Sequence, residues 1–146
     1  MDDLASVVDA AKLDQFDLVR VSQGCSVAIG YSVRNAGRVR RMGLYGGYPW
    51  GWRVRASPLR RRTRCGCRRP SASSTCEDLA QVNVPTLVLH ADQDALVSFA
   101  AGKMLASTIP GAQFVQLDSR NHLILEHEPA WARAAEAIRS FLTAHG

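Results

Sequence analysis

No apolar run in this 146-residue sequence reaches the roughly 18 residues that a membrane-spanning helix needs. A basic n-region is also missing. The chain opens MDDLASVVDAAK, with Asp2 and Asp3 at its head, and does not read as a signal peptide. The expectation is a cytosolic protein with no membrane partner. Cysteine is sparse: Cys25, Cys65, Cys67 and Cys76 are the full set, and without a secretion signal they do not suggest a disulfide framework. Acidic residues are wholly absent from residues 53–69, which hold eight arginines. That run makes the net charge +5, because the rest of the chain sets 10 basic residues against 13 acids. What remains is ordinary: a hydrophobic fraction of 47% and a length that suits one domain with a core of its own.

Three regions differ in character. In residues 1–48, Leu4, Val7, Val8 and Ala11 recur at helical spacing behind the two aspartates. Phe16 to Val21 reads as a strand, Ser22-Gln23-Gly24 as a turn and Cys25 to Ala36 as a helix, with Gly37 as its stop. Val39 to Tyr45 is a second strand, ended by Gly46-Gly47. In residues 77–146, Pro85 to Leu89 is a nearly continuous apolar run of the kind buried on both faces of a parallel sheet. Phe99 to Ile109 reads as a helix, Gln113 to Leu117 as a strand, and Ala130 to Thr143 as a helix. That last helix carries Trp131, Ala134, Ala135, Ile138 and Leu142 on one side. The alternation predicts an α/β domain with a mostly parallel sheet and flanking helices.

The middle region, residues 49–76, has little periodicity and few large apolar residues, so it is expected to be irregular. Its arginines could neutralise phosphates, yet no aromatic residues interleave with them as stacking partners, which argues against a nucleic-acid site. Cys65-x-Cys67 with Cys76 has poor spacing for zinc and no histidine nearby. Such Arg/Ser/Cys/Pro-rich composition also arises when a GC-rich gene is read out of frame, or when an insertion is replaced.

Three short segments carry chemistry. Arg20-Val21-Ser22-Gln23-Gly24 lies between a strand and a helix and meets the pattern G-x-S-x-G except at its first position. A serine on so sharp a turn projects from the sheet edge as a nucleophile, with the next N–H and the helix N-terminus ready for an oxyanion. The plainer reading is a helix N-cap. Next, the strand through Leu89 is followed by His90-Ala91-Asp92-Gln93-Asp94. A carboxylate there can orient an imidazole, although it also suits a solvated loop or a helix cap, and His90-x-Asp92-x-Asp94 has the look of metal ligands with no cluster to complete it. Last, Leu117 to His122 places a histidine in the loop before the final helix, with His127 as a rival.

Taken in order these are Ser, Asp and His, each just after a strand, and here the sequence resembles the α/β-hydrolase family. FDLVRVSQGCSVAIGYSVRNAGRVRRMGLYGG is similar to its nucleophile strand, elbow, helix and next strand. VPTLVLHADQDALVSFAAGKMLASTIPGAQFVQLDSRNHLILEHEPAW is similar to its acid strand, helix and histidine loop. The resemblance spans about four-fifths of the chain. The DSRNH and EPAW wording is also similar to bacterial hydrolase-like domains found beside nucleotide cyclase or helix-turn-helix regulatory domains. The resemblance implies Ser22 as nucleophile, His122 as general base and acid, Asp94 as the orienting carboxylate and the Gln23 N–H as an oxyanion donor. It implies a small ester-like substrate, an acyl-enzyme and no cofactor or metal.

The same resemblance sets limits. The chain opens at what resembles the helix before the nucleophile strand, so the expectation is a partial α/β-hydrolase fold, its C-terminal part, without the loop that carries the second oxyanion N–H. Arg20 stands where the elbow pattern has glycine. The arginine-rich segment fills the interval where the family often places a cap. Impaired catalysis is therefore expected, and a non-catalytic regulatory or remnant module of the same fold is the alternative.

Overall fold

In a computed structural model, residues 2–49 and 76–144 are described. The expectation for the arginine-rich segment falls on residues 50–75, outside the described residues, apart from Pro49 and Cys76 at its ends. The element order is α1 (Asp2–Ala10), β1 (Phe16–Val21), α2 (Gly24–Arg34), β2 (Val39–Tyr45), α3 (Cys76–Gln81), β3 (Thr86–Ala91), α4 (Phe99–Thr108), β4 (Gln113–Leu117) and α5 (Pro129–Thr143). The four strands form one sheet in the order β1-β2-β3-β4, and every pairing is parallel. All strands therefore point the same way, and the loops that follow them emerge at one edge.

Alternation along the strands sorts the side chains into two layers. On one face, Leu18, Met42, Leu44 and Val88 meet Leu4 and Val8 of α1, Ala28 and Ile29 of α2, Leu79 of α3 and Leu105 of α4. On the other, Leu87, Leu89 and Leu117 meet Ala130, Ala134 and Phe141 of α5. The β3 strand, between two neighbours and under both layers, is buried at all six positions, as its continuous apolar run predicts.

Local differences from the sequence reading have local causes. The β3 strand runs on through His90 and Ala91, because β4 continues to pair with it up to Leu117. The α2 helix stops at Arg34 with Asn35 as its C-cap, and Gly37, at φ 87°, turns the chain afterwards toward β2. The buried face of α5 is set by Ala130, Ala134 and Phe141, while Trp131 stays exposed. Trp131 sits one residue, about 100° of helical rotation, from Ala130. The short α3 helix was not legible in the sequence; it anchors to the core through Leu79, which is fully buried.

One contact between layers tolerates only glycine. Gly102 of α4 lies against the ring of His90, and a Cβ built there would stand 2.4 Å from His90 Nδ1. The ring is fully buried, so it has no free space to retreat into. Alanine normally favours a helix over glycine by about 1 kcal/mol. Here overpacking, typically about 1–3 kcal/mol, opposes that gain. Gly102→Ala is expected to lower stability by up to about 2 kcal/mol net in urea unfolding, and a stabilised variant would contradict the packing described.

Candidate active site

Ser22 follows β1, Asp94 follows β3 and His122 follows β4, so parallel pairing delivers all three to the same sheet edge. Ser22 adopts φ 54°, in the left-handed region that residues with a Cβ rarely occupy. Lys12 shares that conformation, but in the turn that closes α1. At Ser22 two backbone hydrogen bonds hold it: Ser22 N–H donates to the Tyr45 carbonyl at 2.8 Å, and Cys25 N–H donates to the Ser22 carbonyl at 3.1 Å. A left-handed residue locked between a strand and a helix is a sharp elbow, and such strain costs on the order of 1–3 kcal/mol. An N-cap role is not supported, since Gln23 occupies the N-cap position of α2 and no side-chain cap bond forms there.

Asp94 and His122 touch directly. Their contact, His122 Nδ1 to Asp94 Oδ2, is 2.6 Å, with the carboxylate fully buried and the ring 9% exposed. The other oxygen, Oδ1, accepts the N–H groups of Leu96 at 2.8 Å and Val97 at 2.9 Å. Burial is the largest influence on this carboxyl and pushes its pKa up. Hydrogen bonds from Val97 N–H, His122 and Leu96 N–H outweigh it together, and the net shift is downward. Asp94 is thus an ionised, fixed acceptor at neutral pH.

His122 and Ser22 are joined through the end of β2. Tyr45 accepts the Ser22 N–H, and the next residue, Gly46, lies against the imidazole: a Cβ there would be 2.9 Å from His122 Cε1. Gly46, at φ 59°, also needs the left-handed conformation. The Ser22 hydroxyl makes no hydrogen bond to the ring among the described contacts. His127, the sequence rival, is exposed, while His122 holds the aspartate.

The first position of the elbow is resolved by packing. The Arg20 stem lies over Gly24, with Cδ and Cβ at 3.5 and 3.6 Å from where a Cβ of that glycine would be. A Cβ at Gly24 would meet that stem at ordinary van der Waals distance, so the Arg20 stem packs over the start of α2 without a clash. Arg20 Nε is buried with no protein partner among the described residues. Arg20 lines a cavity of about 350 Å³ with Asp3, Leu4, Val7, Gly24 and Val27, and neither Asp94 nor His122 belongs to that lining.

Cys25, three residues from Ser22, is a poor rival nucleophile. It is fully buried, and burial pushes its thiol up to about 12, so the thiolate is scarce at neutral pH. The metal-like trio also resolves into separate duties: Asp94 binds His122, Asp92 Oδ2 accepts from Gln116 at 3.0 Å, and His90 Nε2 lies 3.1 Å from the Val97 carbonyl.

Glu128 was not singled out from the sequence, yet it closes the histidine loop. Its carboxylate accepts Ser119 Oγ at 2.6 Å, Leu125 N–H at 2.7 Å and Asn121 Nδ2 at 3.0 Å. The Leu125 N–H, first among these, holds its pKa below the ordinary range. Ser119 and Asn121 within DSRNH, and the acid of EPAW, were the available signal; their separation along the chain concealed that they meet.

Comparison with solved structures agrees with this fold. The chain is similar to an enol-lactonase from Burkholderia xenovorans at 20% identity and TM-score 0.73, covering 97% of this chain and 71% of that one. It is similar to an esterase from a Rhodococcus species at 20% identity and TM-score 0.74, covering 99% and 71%. A bromoperoxidase from Bacillus anthracis matches at 19% identity and TM-score 0.72, covering 97% and 72%. No protein-family model matches the sequence, and no curated protein matches it. Likeness at this identity speaks for architecture, and with the all-parallel sheet it shows that the chain has a partial α/β-hydrolase fold.

Proposed function

We propose that the chain is a serine hydrolase of small ester-like substrates, acting through an acyl-enzyme at Ser22. The observation that carries this reading is the 2.6 Å bond between His122 and a buried, twice-tethered Asp94, at the sheet edge where Ser22 stands in a left-handed turn. Asp94 holds the Nδ1–H of His122, which leaves Nε2 free to take the Ser22 proton. The Ser22 oxygen then attacks the ester carbonyl. The tetrahedral oxyanion collapses, the alcohol leaves with the proton returned by His122, and water repeats the sequence on the acyl group.

The oxyanion falls to the Gln23 N–H, at the start of α2, whose dipole favours negative charge. Gln23 N–H has no acceptor among the described contacts, so it is available. Removing such a donor commonly costs about 10²–10³ in rate. The charged Arg20 behind the elbow favours the second reading, a non-catalytic module of the same fold. A fluorophosphonate decides between them: Ser22 Oγ should displace fluoride and retain the phosphonyl group, giving a single adduct by peptide mass analysis. An unlabelled Ser22, or an equal adduct elsewhere, would remove the hydrolase reading.

A further inference from the structure

We infer that His90 is a positioning residue for the Asp94–His122 pair, held as a neutral imidazole with its proton on Nε2. This inference rests on the catalytic reading of that pair. His90 sits near the end of β3 with its side chain wholly buried. Nε2 is 3.1 Å from the Val97 carbonyl. A carbonyl only accepts, so Nε2 must carry the hydrogen. Nδ1 is buried with no partner among the described residues and faces Gly102, which offers it no acceptor. A proton on Nδ1 would therefore be buried unsatisfied, and the single tautomer with Nε2–H is the one this pocket accommodates. The Phe99 ring, edge-on at 6.1 Å between centroids, closes the remaining side.

What this ring secures is Val97. The residue whose carbonyl takes the His90 proton donates its own N–H to Asp94 Oδ1 at 2.9 Å. The chain of contacts is His90 to Val97, Val97 to Asp94, and Asp94 to His122. The same Nε2 stands 3.6 Å from Asp94 Oδ2, too far for a second strong hydrogen bond but near enough for its N–H dipole to favour the carboxylate. Asp94 thus lies between two histidines with different duties: His122, partly open at the sheet edge, exchanges protons, and His90, sealed in the core, fixes the loop that aims the carboxylate. Groups that orient a reacting side chain in this way act on kcat and leave substrate binding largely alone.

The test compares His90→Gln with His90→Asn. The Gln amide nitrogen reaches the place of Nε2 and can donate to Val97, whereas the Asn amide is too short. Asn is also a methylene smaller than Gln, so His90→Met, as long as Gln but without a donor, controls for lost packing and is expected to behave as the Asn variant does. The expected result is an Asn variant with kcat down about tenfold at unchanged KM, and a Gln variant close to wild type, far from the roughly 10⁴-fold loss that follows removal of the carboxylate's role. The downfield Nδ1–H proton resonance of His122 should broaden in the Asn variant and persist in the Gln variant. That resonance requires no turnover, so it judges His90 even if the chain proves not to hydrolyse esters. Equal behaviour of the two variants would overturn the inference. If neither folds, nitrogen-15 imidazole spectra of the wild-type protein decide: His90 with a slowly exchanging Nε2–H at neutral pH supports it, and the Nδ1–H tautomer or an imidazolium overturns it.

Discussion

Ser22→Ala is expected to abolish hydrolysis of a small activated ester, bringing the rate down to that of the solution reaction while leaving the fold unchanged. The loss follows from the mechanism, in which Ser22 Oγ is the atom that attacks the carbonyl. Cys25 is the nearest candidate, and its buried thiol stays protonated at neutral pH. In established serine hydrolases, loss of the nucleophile costs roughly 10⁶ in kcat. The comparison is made under single-turnover conditions with enzyme in excess, so that the rate read is that of acylation. Removing Oγ also spares the elbow, since the two bonds that fix Ser22 are made by its backbone. A variant that retains the wild-type rate would mean that the observed activity is not catalysis at Ser22.

The second large effect is expected at Asp94. Asp94→Asn should reduce kcat by roughly 10⁴-fold with little change in KM. Oδ1 accepts two N–H groups, from Leu96 and Val97, so an asparagine must keep its carbonyl oxygen there. Its NH₂ is then forced into the place of Oδ2, facing His122 Nδ1 at hydrogen-bond distance. Two donors cannot share that contact. The imidazole must move its proton to Nε2, and in that tautomer it cannot take the Ser22 proton. Stability carries a matching signature. The folded pKa of Asp94 is depressed, so its contribution is present above the unfolded value of 3.8 and is lost as pH falls through the folded value. Asp94→Asn should therefore make the unfolding midpoint less sensitive to acid below about pH 4. A variant with wild-type kcat, or with an unchanged acid dependence, would show that Asp94 is a loop cap and nothing more.

The sequence by itself determined the strands and the order of the site residues. Val39–Tyr45 and Gln113–Leu117 are strands where their patterns place them, and the apolar run from Thr86 is buried on both faces as such runs require. The sequence placed Ser22, Asp94 and His122 each just past a strand, and parallel strands bring such positions to one edge. Those signals are local, carried within five or six residues. Tertiary structure alone decided what depends on contact across distance. It showed that His122, and not His127, is the ring that meets Asp94. It placed Trp131 outside and Phe141 inside, by the angle at which α5 meets the sheet. It turned His90 and Asp92 from apparent metal ligands into a core clamp and a partner for Gln116. It gathered Ser119, Asn121 and Leu125 around Glu128, and it laid the Arg20 stem over Gly24. The physical reason is the same in each case: a side chain's partner is fixed by how layers pack, and packing is a property of the whole sheet and its helices, not of any short stretch of sequence.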